Sequence, residues 1–145
     1  MKIRFTILAV ASALSFGGCK KDANRPETEA AFNQQFTFDY VQLVNLPTQS
    51  SPELRLSIDN IADSRCPPNL ACLLAGDVQT TVSITEQTGA KQTAKLCLGC
   101  GPVVGPADSA VVLANSRRYV LRLHTITPVA GADKSAYQVT MTVKR

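Results

Sequence analysis

The chain has no tryptophan, a single histidine and only 6% aromatic residues. A Ser-His-Asp catalytic system would have to use His124, and no Gly-x-Ser-x-Gly element accompanies it. Glycine-rich phosphate-binding loops and paired carboxylates suited to acid–base chemistry are also missing from the sequence. We therefore expect no enzymatic activity, and we expect His124 to be an exposed residue on the polar side of its segment.

Long apolar runs are scarce as well. The most apolar stretch, residues 5–16, would span only about 18 Å as a helix, whereas a bilayer core requires about 20 residues. Lys2 and Arg4 precede this stretch, and two glycines separate it from Cys19. A basic start, a short apolar segment and small residues predict a secretory signal in place of a membrane span.

The sequence Phe16-Gly17-Gly18-Cys19 resembles the lipobox of bacterial lipoproteins, with Phe16 where that family usually has Leu. The resemblance implies that residues 1–18 are a signal peptide and that Cys19 becomes the lipidated first residue. Two or three acyl chains anchor a protein stably, whereas one binds only marginally. Because Lys20, and no Asp, follows Cys19, the resemblance also favours the outer membrane. The alternative is a secreted protein in which Cys19 is incidental.

Without residues 1–18 the chain has 127 residues, the usual size of one domain. The removed segment contains two basic residues and no acidic ones, so the net charge falls from +4 to +2. Since the basic residues form no cluster, the charge pattern excludes a nucleic-acid footprint. Residues 19–35 are polar and lack a strand period. We interpret them as a lipid anchor and flexible tether, with a short helix after Pro26 as an option.

From Phe36 onward, apolar and polar residues alternate with a period of two, which is typical of half-buried strands. The pattern occurs in six segments, 36–40, 54–58, 78–85, 94–98, 119–124 and 137–144. Val111 and Leu113 form a shorter run that we predict as a seventh strand with these two side chains facing the core. Residues 86–90 are typical of a hairpin loop. Strands with one apolar face need a second sheet to cover it. We therefore predict an all-β fold for residues 36–145, an antiparallel, immunoglobulin-like β-sandwich, with a small barrel as the alternative.

Once Cys19 is assigned to lipid, four cysteines remain: Cys66, Cys72, Cys97 and Cys100. Outside the cytoplasm, four cysteines predict two disulfides, and three pairings are possible. A disulfide between Cys66 and Cys72 would close a loop that contains two prolines and would remove about 2–2.5 kcal/mol of denatured-chain entropy. We interpret that loop as a structural clip, with a binding loop as the alternative.

Residues 63–76 resemble a motif of small bacterial envelope lipoproteins: Asp-Ser-Arg-Cys-Pro, a second Cys, then an apolar residue before Ala-Gly. Leu74 stands where those proteins usually have Trp. The resemblance implies a compact β domain and no particular activity. We expect Asp63 and Arg65 to form a weak local ion pair or to be solvated separately. Asp59, Asn60 and Asp63 lack the spacing of a calcium loop, and we expect ordinary loop polarity there.

Cys97-Leu98-Gly99-Cys100 is a C-x-x-C sequence, and three readings are open. A thioredoxin-type redox pair requires a helix after the first cysteine, whereas Gly101-Pro102 follows here. A Cys₄ zinc site would combine this pair with Cys66 and Cys72, although C-x₅-C is wider than the usual spacing. A disulfide is favoured, and no cofactor is expected. The sequence predicts a non-catalytic, lipid-anchored envelope protein that binds an envelope protein or glycan or has a structural role.

Overall fold

The alternating pattern forms nine strands in the part of the chain that the computed structural model describes, residues 24–101, 105–128 and 133–145. They are β1 (Glu27–Glu29), β2 (Gln35–Asp39), β3 (Leu43–Leu46), β4 (Leu54–Asp63), β5 (Val78–Glu86), β6 (Lys91–Leu98), β7 (Ser109–Ala114), β8 (Arg117–Thr127) and β9 (Gln138–Lys144). All seven predicted strands are present, and β1 and β3 are additional. Lys134–Ala136 form one turn of 3₁₀ helix.

Two sheets pack against each other, which confirms the predicted all-β sandwich. One sheet has the order β1-β3-β4-β5-β6 and the other β2-β9-β8-β7. Every pairing is antiparallel except that of β1 with β3. Strands β3 to β6 and β7 to β9 are neighbours in chain order. The connectivity of β3 to β6 and of β7 to β9 is therefore up-and-down, whereas the chain changes sheets between β1 and β2 and again between β2 and β3.

The core lies between the inner faces of the two sheets. Its fully buried side chains include Leu56, Ile84 and Leu96 from the first sheet, and Leu121 and Met141 from the second. Burying a side chain of this size contributes about 1.5–3 kcal/mol relative to leaving it exposed. Since these residues occupy alternate positions of their strands, the period of two in the sequence is the direct cause of the two-layer architecture.

The folded domain begins before residue 36, which corrects the predicted boundary. Glu27–Glu29 pair with β3, and the Ala30 N–H donates to the Asn45 carbonyl at 3.0 Å. Phe32 is only 8% exposed and its ring stacks on Tyr119 at 5.8 Å between centroids. The interpretation of residues 27–35 as tether, and the optional helix after Pro26, were therefore wrong. Cys19 and the signal peptide lie outside the described residues.

Strand β3 was missed because both of its faces are covered. Val44, Asn45 and Leu46 are all buried, so no apolar–polar alternation is visible in the sequence. The Asn45 Nδ2 donates to a carboxylate oxygen of Glu27 at 2.9 Å, which places the N-terminal strand against this polar side chain. The N-terminal segment thus turns β3 from an edge strand into an internal one.

Two further details differ from the sequence interpretation. In β7 the buried residues are Val112 and Ala114, while Val111 and Leu113 face solvent. Strand β4 continues five residues past Ile58, through a bulge, to Asp63. The hairpin at residues 86–90 is confirmed, and Gly89 has the positive φ (+85°) that its turn requires. None of the helical structure in the described residues is long and apolar enough to cross a membrane.

Truncation of Phe32 tests the corrected boundary. Phe32→Ala removes a buried ring and its stacking on Tyr119, so we expect the free energy of unfolding to fall by about 2–4 kcal/mol. Leu113→Ala is the control, because Leu113 is 71% exposed and its loss should cost less than about 0.5 kcal/mol. Urea unfolding of both variants gives the comparison. Equal stability of Phe32→Ala and the wild type would show that residues 27–35 do not contribute to the fold.

Candidate functional site

Both disulfides lie at the same end of the sandwich. The structure pairs Cys66 with Cys72 and Cys97 with Cys100, with Cα–Cα distances of 5.9 and 5.8 Å. Of the three possible pairings, the two that cross between the loops are excluded. The first disulfide lies in the connection from β4 to β5 and the second at the end of β6. Because β4, β5 and β6 are consecutive neighbours, the two loops emerge side by side.

The connection from β4 to β5 has a narrow base, formed by Ser64 and Asp77. The Ser64 N–H and hydroxyl both donate to the Asp77 carbonyl, at 2.8 and 3.0 Å. One step further out, the Cys66 N–H donates to the Ala75 carbonyl at 3.0 Å. Gly76 has a φ of +71°, and a Cβ there would come within 2.0 Å of the Ser64 carbonyl oxygen. Only glycine can occupy this position without moving the backbone.

Arg65 attaches the base of this loop to the other sheet. Its guanidinium donates to both carboxylate oxygens of Asp63, at 2.8 and 2.6 Å. The same group donates to the carbonyl of Ile126 at 2.8 Å and to that of Pro128 at 3.0 Å, at the end of β8. The Tyr137 hydroxyl completes the group by donating to Asp63 at 3.1 Å. One arginine therefore connects residues from both sheets.

The ion pair between Asp63 and Arg65 is largely buried. The side chain of Asp63 is 4% exposed and that of Arg65 is 20% exposed. A bidentate pair whose guanidinium also donates to two backbone carbonyls is stronger than a solvated surface pair. The local ion pair expected from the sequence is therefore confirmed, but it is buried and not solvated. The two partners of the pair are close in sequence and could be predicted, whereas the bonds of the guanidinium to the carbonyls at the end of β8 could not.

The pKa values at this site follow from the same contacts. Burial alone would raise the pKa of Asp63, but the hydrogen bonds and charge of Arg65, with the Tyr137 hydroxyl, outweigh burial and lower this pKa below its ordinary value. The hydrogen bond to Asp63 raises the pKa of Arg65. Burial and then the bond to Asp63 raise the pKa of Tyr137. Asp63 is thus ionised, and Arg65 and Tyr137 protonated, throughout the neutral pH range.

Beyond this base, the loop presents apolar side chains to solvent. We call residues 66–74 the apolar loop. Leu70 is 65% exposed, Leu74 is 82% exposed and Leu73 is fully exposed. Cys66 and Cys72 cross-link the loop, and the Leu70 N–H donates to the Pro67 carbonyl at 3.1 Å. Three exposed leucines on a cross-linked loop are typical of an interaction surface more than of a clip alone.

The C-x-x-C sequence lies at the end of β6 and borders a cavity of about 400 Å³. Cys97 is 3% exposed, whereas Cys100 is half-buried. Within the described residues, the group with metal-ligand geometry combines these two sulfurs with Asp77, and neither Cys66 nor Cys72 belongs to it. The Cys₄ zinc site considered from the sequence is therefore not assembled. The thioredoxin-type redox reading stays a prediction.

The remaining candidate residues are dispersed. His124 lies in the bulge of β8 and is half-buried, not exposed as we expected, with its Nε2 2.8 Å from the Thr142 hydroxyl. Asp59 and Asn60 lie in β4, and Asn60 accepts a bond from Lys134 at 2.9 Å. These contacts bring neither residue together with Asp63 as a ligand set.

A second polar cluster surrounds Glu53 at the other end of β4, and the sequence did not point to it. The Glu53 carboxylate accepts hydrogen bonds from the Tyr119 hydroxyl and from Arg145, the latter at 2.8 Å. The Asn115 side chain donates to the Glu53 carbonyl at 2.7 Å. Burial and the bond to Glu53 raise the pKa of Tyr119. Because this cluster joins β8 to the C-terminus, its role is to close that end of the sandwich.

Comparisons with known proteins do not add to these observations. No family model, curated protein or solved structure matches the chain.

Replacing Asp63 tests the buried ion pair through its pH dependence. Because folding lowers the pKa of Asp63, its contribution to stability is present above the unfolded pKa of about 3.9 and is lost as the pH falls through the folded value. At pH 7, Asp63→Asn should lower the free energy of unfolding by about 1.5–3 kcal/mol. Urea unfolding is measured at a series of pH values, from pH 7 down to the lowest pH at which the domain stays folded. The difference in the free energy of unfolding between the wild type and Asp63→Asn should shrink below about pH 4.

Asp59→Asn is the matched control on the same strand. The Asp59 carbonyl, not its carboxylate, accepts the bond from Tyr40, so this change leaves that contact in place. We expect its stability to stay within about 0.5 kcal/mol of the wild type at each pH. A constant difference between the wild type and Asp63→Asn across the pH range would contradict the role assigned to the ionised carboxylate.

Proposed function

We propose that this chain is a lipid-anchored cell-envelope protein whose disulfide-stabilised β domain has a non-catalytic binding role. The apolar loop is the binding surface in this proposal. The observation that carries it is the exposure of Leu70, Leu73 and Leu74 on a loop held by the Cys66–Cys72 disulfide. Leucine side chains in water are costly, and their burial against a partner stabilises a complex by about 1.5–3 kcal/mol each.

The construction of the loop supports binding by a preorganised surface. Association loses free energy whenever a flexible segment becomes ordered, and a loop that is already ordered avoids much of that loss. Here the disulfide and the bonds of Ser64 and Arg65 fix the base before any partner arrives. The free energy of burying the leucines is therefore available for affinity.

The chemistry of the loop favours a protein partner over a glycan. Glycans are recognised by hydrogen-bonding groups and by aromatic rings that stack on the sugar. The apolar loop contains no aromatic residue, and its most exposed side chains have no donor or acceptor. We therefore propose an envelope protein with an apolar surface as the partner. A purely structural role for the disulfide is the second candidate.

The anchor and the location belong to the same proposal and rest on the sequence. Lipidation of Cys19 after removal of residues 1–18 would hold the domain at the membrane. Two disulfides are consistent with an oxidising compartment, since such bonds are rare in the cytoplasm. Lys20 after the cysteine favours the outer membrane.

Site-specific photocrosslinking in intact envelopes tests the binding surface. A photoreactive amino acid at position 73 should give one discrete protein adduct, because Leu73 is the most exposed apolar residue of the loop. The same amino acid at position 113 is the control, since Leu113 is exposed but lies on β7. Denaturing electrophoresis and mass spectrometry detect the adduct. Labelling of lipid alone, or identical adducts from both positions, would refute the proposed surface.

Cys19→Ser tests the anchor separately. Without the thiol that accepts lipid, we expect the chain to lose fatty-acid labelling and to shift from the membrane fraction to the soluble fraction. Metabolic labelling with an alkyne fatty acid and fractionation measure both effects. Serine at any other cysteine should leave the labelling unchanged. Equal labelling of the wild type and Cys19→Ser would remove the lipoprotein assignment without affecting the crosslinking result.

A further inference from the structure

The Cys97–Cys100 disulfide has a third potential metal ligand beside it. A carboxylate oxygen of Asp77 and the two sulfurs all lie within 4.8 Å of one another. The sheet register produces this arrangement, because Val78 pairs with Leu98 in the last step of the β5–β6 ladder. Asp77 and Gly99 follow directly beyond that pair. The proximity of carboxylate and sulfurs is thus a consequence of the paired strands.

Close backbone packing fixes the positions of the three ligands. A Cβ on Gly99, whose φ is +87°, would lie 3.1 Å from the Gly76 carbonyl oxygen, and one on Gly105 would lie 2.9 Å from the Cys100 sulfur. By contrast, a Cβ on Gly89 would meet nothing within 4 Å. The Cys97 N–H also donates to the Ala107 carbonyl at 2.9 Å. The glycines at this site therefore permit an approach that side chains would prevent.

The Asp77 carboxylate makes few contacts and can therefore bind a metal ion. Its hydrogen bond from the Ser64 hydroxyl is long, at 3.3 Å, and no lysine or arginine of the described residues forms an ion pair with it. Asp77 and Cys100 are half-buried, and the sulfurs border the cavity at the end of β6. A half-buried carboxylate that has no ion-pair partner among the described residues and lies beside two sulfurs is a favourable environment for a divalent metal.

We propose that reduction of the Cys97–Cys100 disulfide creates a zinc site formed by Cys97, Cys100 and Asp77, with water as the fourth ligand. A dithiol reductant supplies two electrons and two protons, is itself oxidised to a disulfide, and leaves two thiols. Zn²⁺ then displaces both thiol protons and binds the thiolates. Two thiolates, a carboxylate and water complete a tetrahedral set, and C-x₂-C is a common spacing for two zinc-bound cysteines.

This site has different ligands from the Cys₄ site considered from the sequence, and it can form only when the Cys97–Cys100 disulfide is reduced. Cys66 and Cys72 are not ligands of this site. A disulfide and a zinc ion cannot share the same sulfurs, so the end of β6 has two exclusive states. Which state is present depends on the thiol–disulfide balance around the protein. The inference does not depend on the proposed binding function.

Metal titration of the full mature chain tests this site. The chain is reduced with a phosphine under anaerobic conditions, freed of reductant and titrated with Co²⁺ and Zn²⁺. We expect one metal per chain, thiolate-to-cobalt charge-transfer bands, tetrahedral visible bands that Zn²⁺ abolishes, and release of two protons per zinc. The oxidised chain should bind none. A reduced chain that binds no metal, whether folded or unfolded by circular dichroism, overturns the proposal.

Three variants locate the ligands. Cys66→Ser with Cys72→Ser should retain one metal, whereas Cys97→Ser with Cys100→Ser should bind none. Asp77→Asn should keep the fold, because the Asp77 backbone carbonyl still accepts from Ser64, but weaken zinc binding at least tenfold. Unchanged zinc affinity in Asp77→Asn overturns the assignment of the carboxylate. Metal retained without Cys97 and Cys100 overturns the site as a whole.

Discussion

Arg65 is the contact on which the loop-bearing end of this domain depends. A β-sandwich holds its sheets together through apolar side chains in the middle, but at the ends the backbone carbonyls leave their ladders and need other partners. Arg65 satisfies two such carbonyls, at Ile126 and Pro128, while its charge is balanced by Asp63. The planar guanidinium can do this because it has several donors in fixed directions. Lysine, with a single ammonium group, could not reproduce the pattern.

This anchoring explains how exposed leucines are compatible with a stable fold. The leucines of the apolar loop contribute nothing to the core, so their positions must be maintained by other forces. The Cys66–Cys72 disulfide restricts the loop, and the Ser64–Asp77 and Arg65 contacts orient its base against both sheets. The core residues and the loop residues therefore serve different purposes, and substitutions in one set need not affect the other.

The parts of the fold that could be predicted are those in which one strand face is buried and the other solvated. Leu54, Leu56 and Ile58 alternate with Arg55 and Ser57, and that local pattern is sufficient to predict the first half of β4, up to Ile58. Strand β3 could not be found this way, because Asn45 is buried and is held by the side chain of Glu27 from β1. The orientation of β7 was also misjudged, since Ala110 to Ala114 are all apolar and give no alternation to read.

The features that could not be predicted depend on contacts between segments that are distant in the sequence. The stacking of Phe32 on Tyr119 joins residues that are far apart in the chain. Because Phe32 lies in a polar segment, its burial could not be predicted from the neighbouring residues. The pairings Cys66–Cys72 and Cys97–Cys100 were one of the three combinations that the sequence left open. The register of the sheet determines that each disulfide closes within its own loop, and it places Asp77 beside Cys97 and Cys100. Sequence spacing shows which ligands are adjacent along the chain, whereas metal sites require ligands that are adjacent in space.

Asp77 connects the two features of this end of the domain, through different atoms. Its backbone carbonyl accepts from Ser64 and helps to hold the base of the apolar loop. Its carboxylate lies beside the sulfurs at the end of β6. Because backbone and side chain have separate roles, the charge of the carboxylate can be removed while the hydrogen bond at the loop base remains. The geometry thus allows the proposed binding surface and the proposed metal-ligand set to be changed independently, although they share a residue.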